Sequence, residues 1–372
     1  MMEENYLQFL QYCLDKSRAL PESAKGIDWI RMMAWAESQA IVGIIYSGIQ
    51  QAGKAIGIPF EALMEWVGYA NQIEGQNQLT TMVCGELKKE FENSGFKTCI
   101  LKGQANYGYY PSSMNNLRMC GDVDIWVVPK DDPLCHPVKR VLEYLEHNMP
   151  VRSLCYLHAE VHPKRDIPVE VHFHPSFMNE PRHNRRFLRH FKNFDQCVCG
   201  KKVNGETLPV LKWEYDVIFQ LCHIYRHLID EGVGLKQVID YYFLLMNSEK
   251  LIANGWGQLL RYLGLYRFAG ALMWVLHERL GLGEDYLITR PNEKEGRFLW
   301  NEIMTAGNFG QSDPRMPQLE VEKGKTSYQV KRAWRRMKRN SRFVMNYPSE
   351  VIWEPIARYE HLCWRKFKFW KL

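Results

Sequence analysis

Two carboxylates two residues apart, at the head of a short apolar run, constrain this chain more than any other feature. The stretch is Gly121-Asp122-Val123-Asp124-Ile125-Trp126-Val127-Val128. Its β-branched and aromatic residues favour a strand. On a strand, side chains alternate between faces. Asp122 and Asp124 therefore share one face, and Val123, Ile125 and Val127 share the other. Paired carboxylates repel each other unless a cation lies between them. Mg²⁺ is a hard cation that prefers carboxylate oxygens and leaves room for phosphates. Alone, the stretch admits two readings: a metal site, or a Gly-Asp turn leading into a strand.

The flanking sequence alternates between helix and strand periods. Residues 1–95 read as a helical region. Ile30, Met33, Ala34, Ile41, Ile44 and Ile45 fall at helical spacing over about Ile27–Gln51, with Glu37 out of pattern. Gly53 and Gly57-Ile58-Pro59 end that segment. A second helix is expected from Pro59 towards Asn93, with a break near Gly75. Lys97–Gly103 then reads as a short buried strand ending in a glycine. Asp132-Pro133 opens an expected helix running to His147. A hairpin follows: one arm over 154–161, a turn at 163–166 and a second arm over 169–174. In the second arm Val169, Val171 and Phe173 face one way, and Glu170, His172 and His174 the other.

Helical patterns return over Trp213–Ile229, Leu235–Met246, 256–280 and 292–306, with residues 307–325 as a loop. This divides the chain into a helical region at 1–95, a core at 96–205, a helical domain at 206–322 and a tail at 323–372. The fold class is α+β: a small mixed sheet flanked by helical regions.

Charge is uneven. Residues 323–372 hold 14 Lys/Arg and 3 Glu, a net of +11, so the rest carries +6 − 11 = −5. The tail mixes cations with aromatics in Lys331–Arg339 and Trp364–Lys371. That mixture suits an anionic membrane surface, a nucleic-acid backbone, or a helix packed on the body with a solvated basic face. No run approaches the roughly 18 apolar residues of a membrane span. The start of the chain lacks a secretory pattern. Ten cysteines without a CxxC pair suit a reduced compartment. A cytoplasmic protein, with membrane association through the tail as a variant, is expected.

Ile100-Leu101-Lys102-Gly103, then Arg118 and Gly121-Asp122-Val123-Asp124-Ile125, then Val169-Glu170-Val171-His172 resemble the polymerase-β-type nucleotidyltransferase fold. The likeness is greatest to the bacterial uncharacterised nucleotidyltransferases, in which a Lys-Gly turn replaces the usual Gly-Ser. His223-Ile224-Tyr225-Arg226-His227 and Gly234–Asp240 resemble the helical part of that branch. Gly103 precedes Asp122 by 122 − 103 = 19 positions, and Gln104 stands where the wider fold has a hydroxyl.

The resemblance implies a transferase that moves a nucleoside monophosphate from an NTP to an acceptor hydroxyl. Asp122, Asp124 and Glu170 would hold Mg²⁺, with Mn²⁺ as an alternative. Lys102, Gly103 and Arg118 would grip phosphates, and His172 would act on the acceptor side or behind a ligand. The acceptor stays open: a small molecule, a glycan or a macromolecule. His223 and His227, one helical turn apart, either face the cleft or form a polar helix face. Asp240 is expected to pair with Lys236.

Two other functions fit the residues. One is a non-catalytic relative that binds a nucleotide or partner. The other is a metal-dependent hydrolase using the histidine-rich segment (His158, His162, His172, His174, His183, His190), with His172, His174 and Asp122 as ligands.

Overall fold

A computed structural model describes residues 2–130, 137–248, 255–316 and 326–367. The expected helix start at Asp132-Pro133, the end of the 307–325 loop and Lys368–Lys371 of the tail lie outside the described residues.

Four helices open the chain: α1 (Met2–Leu14), α2 (Trp29–Ser38), α3 (Val42–Ala52) and α4 (Phe60–Asn93). The single helix expected over Ile27–Gln51 is two helices. Ala40 between them takes a left-handed φ of 55°. The reason is tertiary. Gln39 is buried in the break, and its Oε1 accepts the Leu235 N–H at 2.9 Å. Its backbone O accepts the Lys236 N–H at 3.3 Å. Gln39 thus satisfies two of the unpaired N–H groups that begin a distant helix. Ile30 and Glu37 both face solvent, and the buried stripe of α2 is Trp29, Met32, Met33 and Ala36.

α4 runs 34 residues without a break at Gly75. Its first half packs Trp66 and Ile73 into the core of the helical mass. Its second half packs Val83, Cys84, Leu87 and Phe91 beneath the sheet. Burial at both ends holds a helix that three internal glycines would weaken in isolation.

The strands are β1 (Phe96–Ile100), β2 (Val123–Pro129), β3 (Val151–Leu154), β4 (His158–Lys164), β5 (Ile167–His172), β6 (Val198–Val203) and β7 (Glu206–Leu211), with α5 (Pro137–Asn148) after β2, and α6 (Pro181–His190) and α7 (Phe194–Cys197) after β5. They form one mixed sheet ordered β3-β4-β5-β2-β1-β7-β6. The β2–β5 and β1–β7 pairs are parallel and the rest antiparallel.

The first hairpin arm expected over 154–161 is two strands, β3 and β4. The second ends at His172, so His174 lies beyond the sheet. Arg165-Asp166 turns this hairpin with φ of 52° and 64°. A second hairpin, β6–β7, was not expected. Asn204-Gly205 turns it with φ of 45° and 84°, the pairing that two-residue hairpin loops favour.

Alternation along the central strands sorts the sheet into two faces. Val123, Ile125, Val127, Val169 and Val171 pack against α4 and α5. Cys99, Leu101 and Trp126 turn the other way, into the helical mass. That mass contains α8 (Trp213–Asp230), α9 (Leu235–Met246), α10 (Trp256–Leu263), α11 (Tyr266–Trp274) and α12 (Glu293–Ala306). Gly264, with φ of 76°, divides the expected 256–280 helix into α10 and α11.

The tail forms α13 (Thr326–Phe343) and α14 (Pro348–Phe367). Phe343, Tyr347 and Val351 join the core of the helical mass. Among the described residues, no helix is long and apolar enough to cross a membrane.

Candidate active site

The acidic stretch lies on the sheet face that meets the helices. β2 and β5 are parallel neighbours, with Asp124 opposite Glu170 and Trp126 opposite His172. The pleat sends Asp124, Glu170 and His172 to one side. Asp122, just before β2, joins them. Oxygens of Asp122, Asp124 and Glu170 lie within 4.8 Å of one another. Asp124 is the buried floor of this cluster, and Asp122 and Glu170 form its half-exposed rim.

Lys102 follows β1, the antiparallel neighbour of β2. Its Nζ is 3.1 Å from Asp124 Oδ2 and 3.7 Å from Asp122 Oδ2. Burial opposes its charge, but Asp124, Asp122 and Glu170 outweigh that and raise its pKa above the ordinary lysine value. Lys102 Nζ and Asp124 Oδ2 form a close ion pair, and the buried Oδ2 has no other side-chain partner among the described residues.

His172 is buried behind the acids. Its Nε2 lies 2.9 Å from Asp124 Oδ1 and 3.4 Å from Glu170 Oε2. Both neighbours accept, so the proton is assigned to Nε2. Burial disfavours the charged ring, yet the hydrogen bonds to Asp124 and Glu170 raise its pKa. Glu170 also loses solvation, but the hydrogen bond from His172, with charge from His158 and Lys102, brings it down to about 2. This position suits His172 for orienting Asp124.

Sequence reasoning gave His158 no place beside the carboxylates. On β4 it pairs across the strands with His172, and its Nδ1 is 3.1 Å from Glu170 Oε2. Burial, then repulsion from His172, lowers its pKa to about 4. The only sequence signal was its position in the arm opposite His172.

Gly103 begins a short 3-10 turn with φ of 65°, and an added Cβ would lie 3.1 Å from Cys120 Sγ. Only glycine takes this conformation without strain. Gln104 does not face the cleft. It is buried against α4, and its Nε2 donates to Asn77 Oδ1 at 3.0 Å. Asn77 in turn donates to the carbonyls of Asn116 and Arg118, fixing the loop that enters β2.

Arg118 borders the cleft, but its fork is engaged: Nε and Nη2 donate to the two oxygens of Asp240. Asp240 also accepts from Tyr110 Oη at 2.7 Å. The expected Lys236–Asp240 pair is not formed. Lys236 instead lines the cleft with Lys102, Gly103, Asp122, Glu170 and His223. Burial lowers its pKa, with Arg118 adding to the effect. It is a second cation near the acids that sequence reasoning assigned elsewhere. His223 thus faces the cleft, and its ring lies 4.3 Å from that of His227.

The ligand set expected for a hydrolase, His172, His174 and Asp122, does not come together among the described residues. The described clusters able to hold a metal are Asp122–Asp124–Glu170 and His158–Glu170–His172. His174 lies past the end of β5, beside Tyr156. His183 bonds Glu350 on α14 at 3.0 Å.

A family model described as uncharacterised nucleotidyltransferase matches residues 25–281, which hold every residue of this cleft except Phe309. The chain belongs to that family. No curated protein matches it. Among solved structures, it is similar to an antigenic nucleotidyltransferase-like protein from Paracoccidioides brasiliensis. That match has 12% identity and a TM-score of 0.35, and covers 58% of this chain and 95% of the other. A likeness this slight has no bearing on the site. The α+β fold, with its mixed sheet among helices, is the class the motifs implied.

Proposed function

We propose that this nucleotidyltransferase-family chain transfers a nucleoside monophosphate from an NTP to an acceptor hydroxyl in the cleft between the sheet and α8–α9. The observation that carries this reading is the convergence of Asp122, Asp124 and Glu170 within 4.8 Å on the sheet face lining that cleft. A divalent metal fits the cluster: the donors are hard oxygens, they lie within 4.8 Å of one another, and the Lys102 ammonium already occupies a cation's place beside Asp124 Oδ2. Mg²⁺ or Mn²⁺ held by these three acids would neutralise phosphate charge and act as a Lewis acid.

The chain's own residues supply the remaining functions. His172 holds Asp124 in place. Lys102 and Lys236 offer positive charge to a triphosphate. Gly103 lets the backbone approach a phosphate closely. Transfer joins the acceptor oxygen to the α-phosphorus and breaks the α–β bridge. Pyrophosphate leaves with the electron pair and the hydroxyl proton passes to solvent. Chemistry of this kind depends on positioning and charge neutralisation.

The test is calorimetric titration of NTP with Mg²⁺ into wild type and Asp124→Asn, with circular dichroism to establish folding. Wild type should bind and folded Asp124→Asn should not. A wild type that binds neither Mg²⁺ nor any NTP would overturn the reading.

A further inference from the structure

A second cavity flanks the carboxylates on the side away from Lys102. Its cations come from three helices: Arg226 on α8, Arg336 on α13, and Arg358 and Arg365 on α14. Among the described residues, Asp230 and Glu354 are the acids that line it, and Arg226, Arg358 and Arg365 face them. Arg358 pairs with both acids. Arg226 lies 3.9 Å over the Phe177 ring and 3.8 Å from Asp230 Oδ2. Its Nε is buried and lacks a hydrogen-bond partner.

Aromatic rings line the same cavity. His361 stacks on Tyr156 at 4.2 Å and meets Phe177 edge-on at 4.7 Å. Burial, followed by the charges of Arg226 and Arg358, lowers the His361 pKa to about 4, so these rings are uncharged at neutral pH and the cavity's excess charge is that of its arginines. His158 lines this cavity too, while its Nδ1 lies 3.1 Å from Glu170. His158 therefore stands between this cavity and Glu170.

We propose that this cavity binds the acceptor, and that the acceptor is a small ring-bearing molecule with an oxyanion group, phosphate or carboxylate. The proposal rests on the nucleotidyl-transfer reading for the word acceptor. Guanidinium forks bind both oxyanions in two-pronged fashion, and flat rings cover a sugar or aromatic ring. A ligand held here presents its hydroxyl past His158 towards Glu170. The cleft with Lys102 and Lys236 is left to the nucleotide.

The test titrates glucose 6-phosphate and glucuronate separately into the full chain by calorimetry, as wild type, Arg226→Gln, Arg365→Gln and Asp124→Asn. A non-hydrolysable ATP analogue with Mg²⁺ is titrated into wild type in parallel. One anion should bind wild type and Asp124→Asn alike, and lose about tenfold or more in affinity in Arg226→Gln. Which of the two binds tells phosphate from carboxylate. Arg365 is exposed and makes one long contact, 3.5 Å to Leu154 O. Its variant should stay folded, and a weaker affinity there decides the matter if Arg226→Gln unfolds. No saturable binding of either anion to wild type at about 10 mM, or binding indifferent to both arginines, overturns the proposal. Anion binding without nucleotide binding would instead overturn the nucleotidyl-transfer reading and leave the oxyanion site standing.

Discussion

Arg118 and Asp240 form a buried two-pronged ion pair, with Nε 2.6 Å from Oδ1 and Nη2 2.7 Å from Oδ2. The pair ties the loop entering β2 to α9, and so fixes the segment that carries Asp122 into the cleft. Removing one partner leaves a buried charge without compensation. Arg118→Ala should lose about 3–5 kcal/mol in urea unfolding. Arg118→Met combined with Asp240→Leu should recover part of that, less about 1 kcal/mol for the stranded Tyr110 hydroxyl. A loss below about 1 kcal/mol in the single variant would contradict the assignment.

Lys102 is the cation set among the three acids. Lys102→Met removes it and leaves Asp122, Asp124 and Glu170 facing one another. In chelator the variant should melt below wild type, and Mg²⁺ should raise its Tm more than it raises that of wild type. At one hundred times the dissociation constant, binding adds about 2.7 kcal/mol. Equal Mg²⁺ shifts in the two proteins would show that Lys102 does not screen the cluster.

The turn after Lys102 depends on Gly103. At a φ of 65°, a side chain costs roughly 1–2 kcal/mol, and Cys120 crowds the same space. Gly103→Ala should be destabilised by about that amount. Adding Cys120→Ala should relieve only the crowding. Full recovery in the double variant would show that contact, not backbone strain, was the cause.

Asp216 gives a pH signature. Burial raises its pKa from 3.8 to about 7, against hydrogen bonds with Gln220 and Tyr109 that lower it. Between those values the folded chain keeps a proton that the unfolded chain has lost. Its contribution to stability is therefore greatest below pH 3.8 and falls as pH rises towards 7. Asp216→Asn should remove that slope and be more stable than wild type at pH 8, by roughly 2–4 kcal/mol. Denaturant unfolding across the range would show it. An unchanged slope would mean that Asp216 is ionised when buried.

Phe343 anchors the tail. It is fully buried in the core of the helical mass, and nearby Arg339 donates to Ile229 O at the end of α8 at 2.9 Å. Phe343→Ala should lose about 3–5 kcal/mol. A negligible change would show that α13 rests on the body without stabilising it.

Much of the site was legible because the period-two pattern of a strand fixes which side chains share a face. Asp122 with Asp124, and Glu170 with His172, follow from that alone. The Asn204-Gly205 turn was equally readable by the same kind of local rule, and would have revealed the β6–β7 hairpin. Arg118 was not readable, because its partner lies 122 residues away. Nor was the break between α2 and α3, since Gln39 serves the start of α9 rather than its own helix.

The sequence by itself determined the local chemistry: two acids on one face, a third on a second strand, a lysine and a glycine at a strand end, and a surplus of lysine and arginine in the tail. These follow from residue type and backbone period, which are properties of short stretches. Tertiary structure decided the partners. It set Asp124 beside Glu170, gave Asp240 to Arg118, freed Lys236 for the cleft and turned Arg336, Arg358 and Arg365 towards a cavity beside the acids. Charges act through space over a few ångströms, and only the packed fold sets which residues lie that close.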